Sequence, residues 1–180
     1  MTGIYADLKL VVEQAPHYQT KADTSWIMRQ VILALVPAMG MAVYIFRVKA
    51  CLLLLVSVVS AVVCEAAVKK MRKKNIFSIR DGSAVITGIL CALIMPPSLP
   101  LWAAALGSAV SIIIGKELFG GLGGNIFNPA LVGRAFLMAA FPVLLTTWSE
   151  PFSLDAVTRA TPLALWKFEG TITPLRNLCM

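Results

Sequence analysis

The sequence predicts an all-α polytopic membrane protein with five transmembrane segments, some of them short or broken. Composition is the first reason: 58% of the 180 residues are hydrophobic and only 14% charged, against roughly 45–50% and about 25% in soluble domains. The second is that the apolar residues fall in long runs separated by basic or Gly/Pro-rich breaks. The third is the basic run KKMRKK at 69–74, directly after one such run, where the positive-inside rule puts a cytoplasmic loop.

Residues 1–25 read as a polar cytoplasmic arm. Asp7, Glu13 and Asp23 interrupt it and it lacks an apolar core, so no cleaved signal peptide is expected and the first apolar run stays as a membrane helix. His17 lies in this arm as a solvated residue. Residues 26–147 form the membrane part. Its first segment runs from about Trp26 to Phe46 and its second from about Ala50 to Val68, each close to the roughly 20 residues that 30 Å of hydrocarbon requires. No residue between Gly82 and Gly115 is charged, but PPSLP at 96–100 divides this stretch. The piece before it, SAVITGILCALIM, reaches only ~20 Å as a helix. The fourth segment extends from Leu101 to about Phe119, and the fifth from Pro129 to near Thr147. Residues 148–180 follow as an outer-face segment.

The basic run sets the orientation. With KKMRKK inside, the N-terminus is cytoplasmic and the short Arg47–Lys49 turn is outside; the fifth segment crosses outward and delivers DAVTRATPL, 155–163, to the outer face. Trp26, Trp102 and Trp148 fall at segment boundaries, as aromatic belts do. The formal charge of +7 sits largely in that loop, which argues against nucleic acid as a partner and for membrane lipid. Cys51, Cys64, Cys91 and Cys179 show no CxxC or other metal spacing, so no metal site is expected. No residue has the setting of an acid–base catalyst. Lys116 and Glu117, adjacent in sequence, read as an interfacial step, and Asp81 and Ser83 as helix caps.

The irregular stretch is GGLGGNIFNP, 120–129. It lacks GK[ST] and GxGxxG spacing, so it is no phosphate loop. Its glycines permit positive φ and close backbone approach, and Asn128–Pro129 has the form of an N-cap followed by proline at the first helical position. It is either a simple loop or a broken helix that lines a cavity together with the short third segment, since irregular backbone at membrane depth needs such cover. Gly121, Gly123, Asn125, Asn128 and Arg134 are the pocket candidates under the second reading. Arg134, about one and a half turns into the fifth segment, either faces a polar partner or snorkels to the inner headgroups.

In DAVTRATPL, Pro162 pushes Thr161 towards an extended conformation and Ala160 leaves steric room beside its hydroxyl. The residues alone favour an ordinary outer loop, with threonines chosen for turn chemistry. However, APHYQTKADTSWIM, DGSAVITGILCALIMPP, GKELFGGLGGNIFNPALVGRAFL and DAVTRATPL together resemble the D subunit of the Rnf ion-translocating ferredoxin:NAD oxidoreductase and, more distantly, the B subunit of the sodium-pumping NADH:quinone reductase. The likeness covers about residues 15 to 165 in the family's order. It implies FMN attached to Thr161 through a phosphoester by a separate flavin transferase, with Asp155, Thr158 and Ala160 matching the motif. Arg159 departs from it, standing where glycine or another small residue is usual; it either obstructs the transferase or pairs with the FMN phosphate, which its guanidinium suits. The resemblance further implies two inverted five-helix repeats similar to urea transporters, of which this chain supplies the first and lacks the second. It allows a second, non-covalent flavin such as riboflavin. The implied setting is the bacterial cytoplasmic (inner) membrane, with other Rnf subunits as partners, including a flavoprotein at the outer face. The function expected is membrane electron transfer between ferredoxin and NAD, coupled to Na⁺ or H⁺ movement. A small-solute channel using the broken helices is the alternative, and a scaffold that anchors redox partners is a third reading.

Overall fold

The computed structural model describes residues 23–72, 81–149 and 158–159. In chain order the elements are α1 (Thr24–Met71), α2 (Ser83–Ile94), α3 (Leu101–Ile112), a π-helical turn (Ile113–Glu117), α4 (Pro129–Ala140), α5 (Pro142–Thr146), β1 (Trp148–Ser149) and β2 (Thr158–Arg159). Apart from the two-residue ladder of β1 and β2 the fold is helical, as the sequence predicts.

α1 has the length and apolar composition to cross a membrane, but it is not one straight rod. Its 48 residues would extend ~72 Å if straight, at 1.5 Å per residue. Yet Asp23, Thr24 and Ser25 line the same cleft as Glu65 and Lys69, so the helix folds back on itself. The reversal is at Arg47, whose φ of 52° and ψ of −129° are non-helical. A positive φ at a non-glycine residue costs on the order of 1–3 kcal/mol and persists only where its surroundings impose it. The limbs 24–46 and 48–71 thus match the first two segments read from the sequence. Asp23 starts the first limb by accepting a hydrogen bond from the Thr24 amide.

The second limb carries the packing. Its buried residues Ala50, Leu53, Ser57, Ala61, Glu65 and Lys69 recur every three or four positions and therefore form one helix face, turned to α2 and α3. Small residues let the backbones approach closely, as in membrane helix pairs. A Cβ added at Gly88 of α2 would lie 2.7 Å from Val58 Cα, and the Ser60 hydroxyl donates to the Ala105 carbonyl at 2.7 Å. The main core gathers Leu53, Cys91, Met95, Leu99, Ala104, Ala130, Leu137 and Leu145.

α2 ends at Ile94 before PPSLP and α3 resumes at Leu101, because the prolines lack amides and restrict the residues before them. Asn128 caps α4 by accepting from the Ala130 amide, with Pro129 at the first turn, as its sequence predicts. The fifth segment is not one continuous helix. α4 stops at Ala140, Phe141 takes φ −136° and ψ 62°, and Pro142 opens the short α5; proline disfavours helix at the residue before it.

The five helical runs alternate between two ends of the bundle. One end collects Asp23–Ser25, Glu65–Lys69, Asp81, Ser83 and Lys116–Glu117 around the cleft. The other holds Ala42, Phe46 and Ala50 beside Met95 and Pro97, with Trp102 and Phe141 in edge-to-face contact at 5.4 Å. α2 alone separates them by ~18 Å.

Candidate functional site

The cleft at the first end has a volume of about 480 Å³ and is lined by Asp23, Thr24, Ser25, Glu65, Lys69, Asp81, Ser83, Lys116, Glu117, Gly120, Gly121 and Leu122. Its charged residues are deep: Glu65 is 0% exposed, and Lys116 and Glu117 are 2% exposed each. Lys116 and Glu117 lie in the π-helical turn. An α-helix would set residues 116 and 117 about 100° apart on its surface. Here the Leu118 amide bonds to the Ile113 carbonyl, five residues back. Both side chains are buried within this turn, and such turns recur at functional sites.

The network joins the π turn to α1 and α2. Lys116 Nζ donates to Glu65 Oε1 on α1 and to Ser83 Oγ on α2, each at 2.7 Å. Lys69 Nζ reaches the same Glu65 oxygen at 2.5 Å from one helical turn away. Arg72 Nη1 donates to the Glu117 backbone carbonyl at 2.5 Å and lies 3.7 Å from its Oε2. Burying charges is tolerated when they are paired in this way. Two carboxylate oxygens, Glu65 Oε2 and Glu117 Oε1, have no donor among the described residues.

This network corrects two expectations. Lys116 and Glu117 do not pair with each other, but they are no interfacial step either: each is buried against α1. Ser83 is not a cap. Gly82, in the left-handed region at φ 76°, takes the N-cap position without a side-chain bond, which leaves the Ser83 hydroxyl free to accept from Lys116. The sequence did hold a signal for part of it. Glu65 and Lys69, four apart with the acidic residue first, share a helix face, and Glu65 interrupts an apolar run.

The five pocket candidates separate. Gly121 lines the cleft. Gly123 sits in the loop at φ 92° with open space around it, and Asn125 Oδ1 is buried without a partner. Asn128 caps α4. Arg134 is at the opposite end of α2, where its Nη1 donates to the Ile94 carbonyl. That carbonyl belongs to the last turn of an interrupted helix, whose free acceptors and dipole favour a cation. Arg134 therefore faces a partner rather than snorkelling.

At the second end, β1 pairs antiparallel with β2, with Trp148 opposite Arg159 and Ser149 opposite Thr158. The ladder places Thr158 and Arg159 against the strand that follows α5. Thr158 and Arg159 are in this ladder, while Asp155, Ala160 and Thr161 lie outside the described residues. Among the described residues no group of three His, Cys, Asp or Glu side chains could hold a metal ion.

The model of the NQR2, RnfD, RnfE family matches residues 11–180. The D subunit of the Na(+)-translocating ferredoxin:NAD(+) oxidoreductase complex of Acetobacterium woodii is 45% identical over 161 residues, covering 89% of this chain and 50% of that protein. The corresponding protein of the proton-translocating ferredoxin:NAD(+) oxidoreductase complex of Clostridium ljungdahlii is 44% identical over 161 residues, covering 88% and 48%. That of an ion-translocating oxidoreductase complex from Alcanivorax borkumensis is 38% identical over 173 residues, covering 87% and 51%. The chain spans about half the length of these curated relatives. With nearly its whole length matched by the family model, it belongs to the NQR2, RnfD, RnfE family.

Proposed function

We propose that this chain is the flavin-bearing half of a membrane electron-transfer subunit in an Rnf-type ion-translocating complex. The five helical runs are its membrane crossings, the first repeat of a urea-transporter-like pair. The cleft end faces the cytoplasm and Thr161 faces outward in the bacterial inner membrane. FMN is held on Thr161 by a phosphoester installed by a flavin transferase, and Arg159 pairs with its phosphate. The flavin supplies the one- and two-electron chemistry when bound; the chain fixes where it stands. Electrons reach it from a flavoprotein subunit at the outer face, and the whole complex couples their flow between ferredoxin and NAD to ion movement. The named relatives include a Na(+)-translocating and a proton-translocating complex at almost equal identity, so the coupling ion here is Na⁺ or H⁺.

One observation carries this reading. The ladder that includes Thr158 and Arg159 is rooted at the end of the bundle opposite Lys69, Lys70 and Arg72. Basic residues concentrate on the cytoplasmic side, so their position supports an outer placement for the motif. The test is in-gel fluorescence of the denatured protein, made with an active flavin transferase. The expected result is a fluorescent wild-type band and a dark Thr161→Val band. A dark wild-type band favours a solute channel, and full electron transfer by Thr161→Val favours a scaffold.

A further inference from the structure

The arm that leaves α5 is fixed to the bundle by contacts that the flavin motif itself does not supply. Ser98, in the PPSLP turn between α2 and α3, donates its hydroxyl to the Thr147 carbonyl at 2.7 Å, across 49 residues of sequence. Thr147 is the last residue before β1, and β1 is the strand that pairs with Thr158 and Arg159. Beneath this bond, Leu99 and Leu145 are buried in one core cluster, and Trp102 meets Phe141 edge to face. The PPSLP turn is therefore a platform. Its prolines restrict its own backbone, and one hydroxyl ties the root of the arm to it.

We propose that Ser98 is a positioning residue for the flavin, acting through Thr147 and the β1–β2 ladder. This rests on the reading that Thr161 carries FMN. A tether through one side chain leaves a cofactor free to swing, so its location depends on how firmly the adjoining backbone is held. The Ser98–Thr147 bond is the described polar contact that joins this backbone to another element. Losing it releases the Thr147 carbonyl and lets the ladder open more often, without touching the attachment residue.

Two measurements test this on Ser98→Ala and Ser98→Thr, which retains a hydroxyl. The first is amide hydrogen exchange in the full-length chain carrying Thr161→Val, where no flavin is attached. Ladder amides at residues 148–149 and 158–159 should exchange about three- to tenfold faster in Ser98→Ala, the loss of one hydrogen bond, and return to the parent rate in Ser98→Thr. The second is fluorescence anisotropy decay of the covalent flavin in membranes holding the assembled complex. Depolarisation should quicken in Ser98→Ala at unchanged flavin stoichiometry, with Ser98→Thr again restoring it. Parent-like exchange and anisotropy in Ser98→Ala overturn the role of Ser98 while leaving the flavin reading intact. Absence of covalent flavin from the wild type, by contrast, sinks that reading and this role with it, even if the exchange result stands.

Discussion

Glu65→Leu is expected to destabilise the folded chain by about 3–5 kcal/mol, the cost of breaking a buried ion pair by removing one partner. The single Glu65 Oε1 atom receives both Lys69 and Lys116. Its loss leaves two buried ammoniums without the carboxylate that both of them contact. Lys116→Met should cost less, because Lys69 still neutralises Glu65 and the methionine stem fills most of the vacated volume. The double variant should be less destabilised than the sum of the two singles, since the second change removes one of the charges that the first one stranded. Unfolding in detergent, followed by helical circular dichroism, gives the order directly. Equal losses for the two single variants would mean that Lys69 and Lys116 do not share this carboxylate.

Gly133→Ala should destabilise by about 3 kcal/mol or prevent folding altogether, through overpacking where two helices cross. α3 and α4 meet at Gly107 and Gly133, and a Cβ at Gly133 would overlap both the Ser111 hydroxyl and the Gly107 carbonyl. A hydroxyl can rotate away, but a helix carbonyl cannot, so the two helices must separate. That separation also disturbs Leu137, which packs over Gly107. Gly40 provides the control. It lies in the first limb of α1 with no atom within 4 Å of an added Cβ, so Gly40→Ala should be neutral or slightly stabilising through helix propensity. Yield and melting temperature in the same detergent separate the two. A Gly133→Ala chain as stable as Gly40→Ala would contradict the close α3–α4 crossing.

Local chemistry made much of the fold legible. PPSLP broke the apolar stretch where α2 and α3 separate, and Asn128–Pro129 marked the start of α4, because proline and cap residues act within a few positions of themselves. Pro142 carried the same kind of signal for the break at Phe141, which the continuous hydrophobicity around it masked. The cleft was harder to foresee. Lys116 meets Glu65 across 51 residues, a contact that only the folded chain makes, and the π turn that holds Lys116 and Glu117 has no local sequence signal. Ser98 and Thr147 are likewise ordinary loop residues until the chain folds. DAVTRATPL was legible through its resemblance to a family, since its own residues also suit a surface loop.

Sidedness is the centre of the proposal: the paired charges at one end of the bundle and the threonine proposed to carry the flavin must face opposite aqueous phases. Replacing the four native cysteines and placing single cysteines at Lys70 and at Ser153 allows a direct reading with a membrane-impermeant thiol reagent. Intact cells, with the outer membrane permeabilised, should label Ser153→Cys and spare Lys70→Cys, and inverted vesicles should reverse the pattern. Labelling of both positions from the same side would contradict the account.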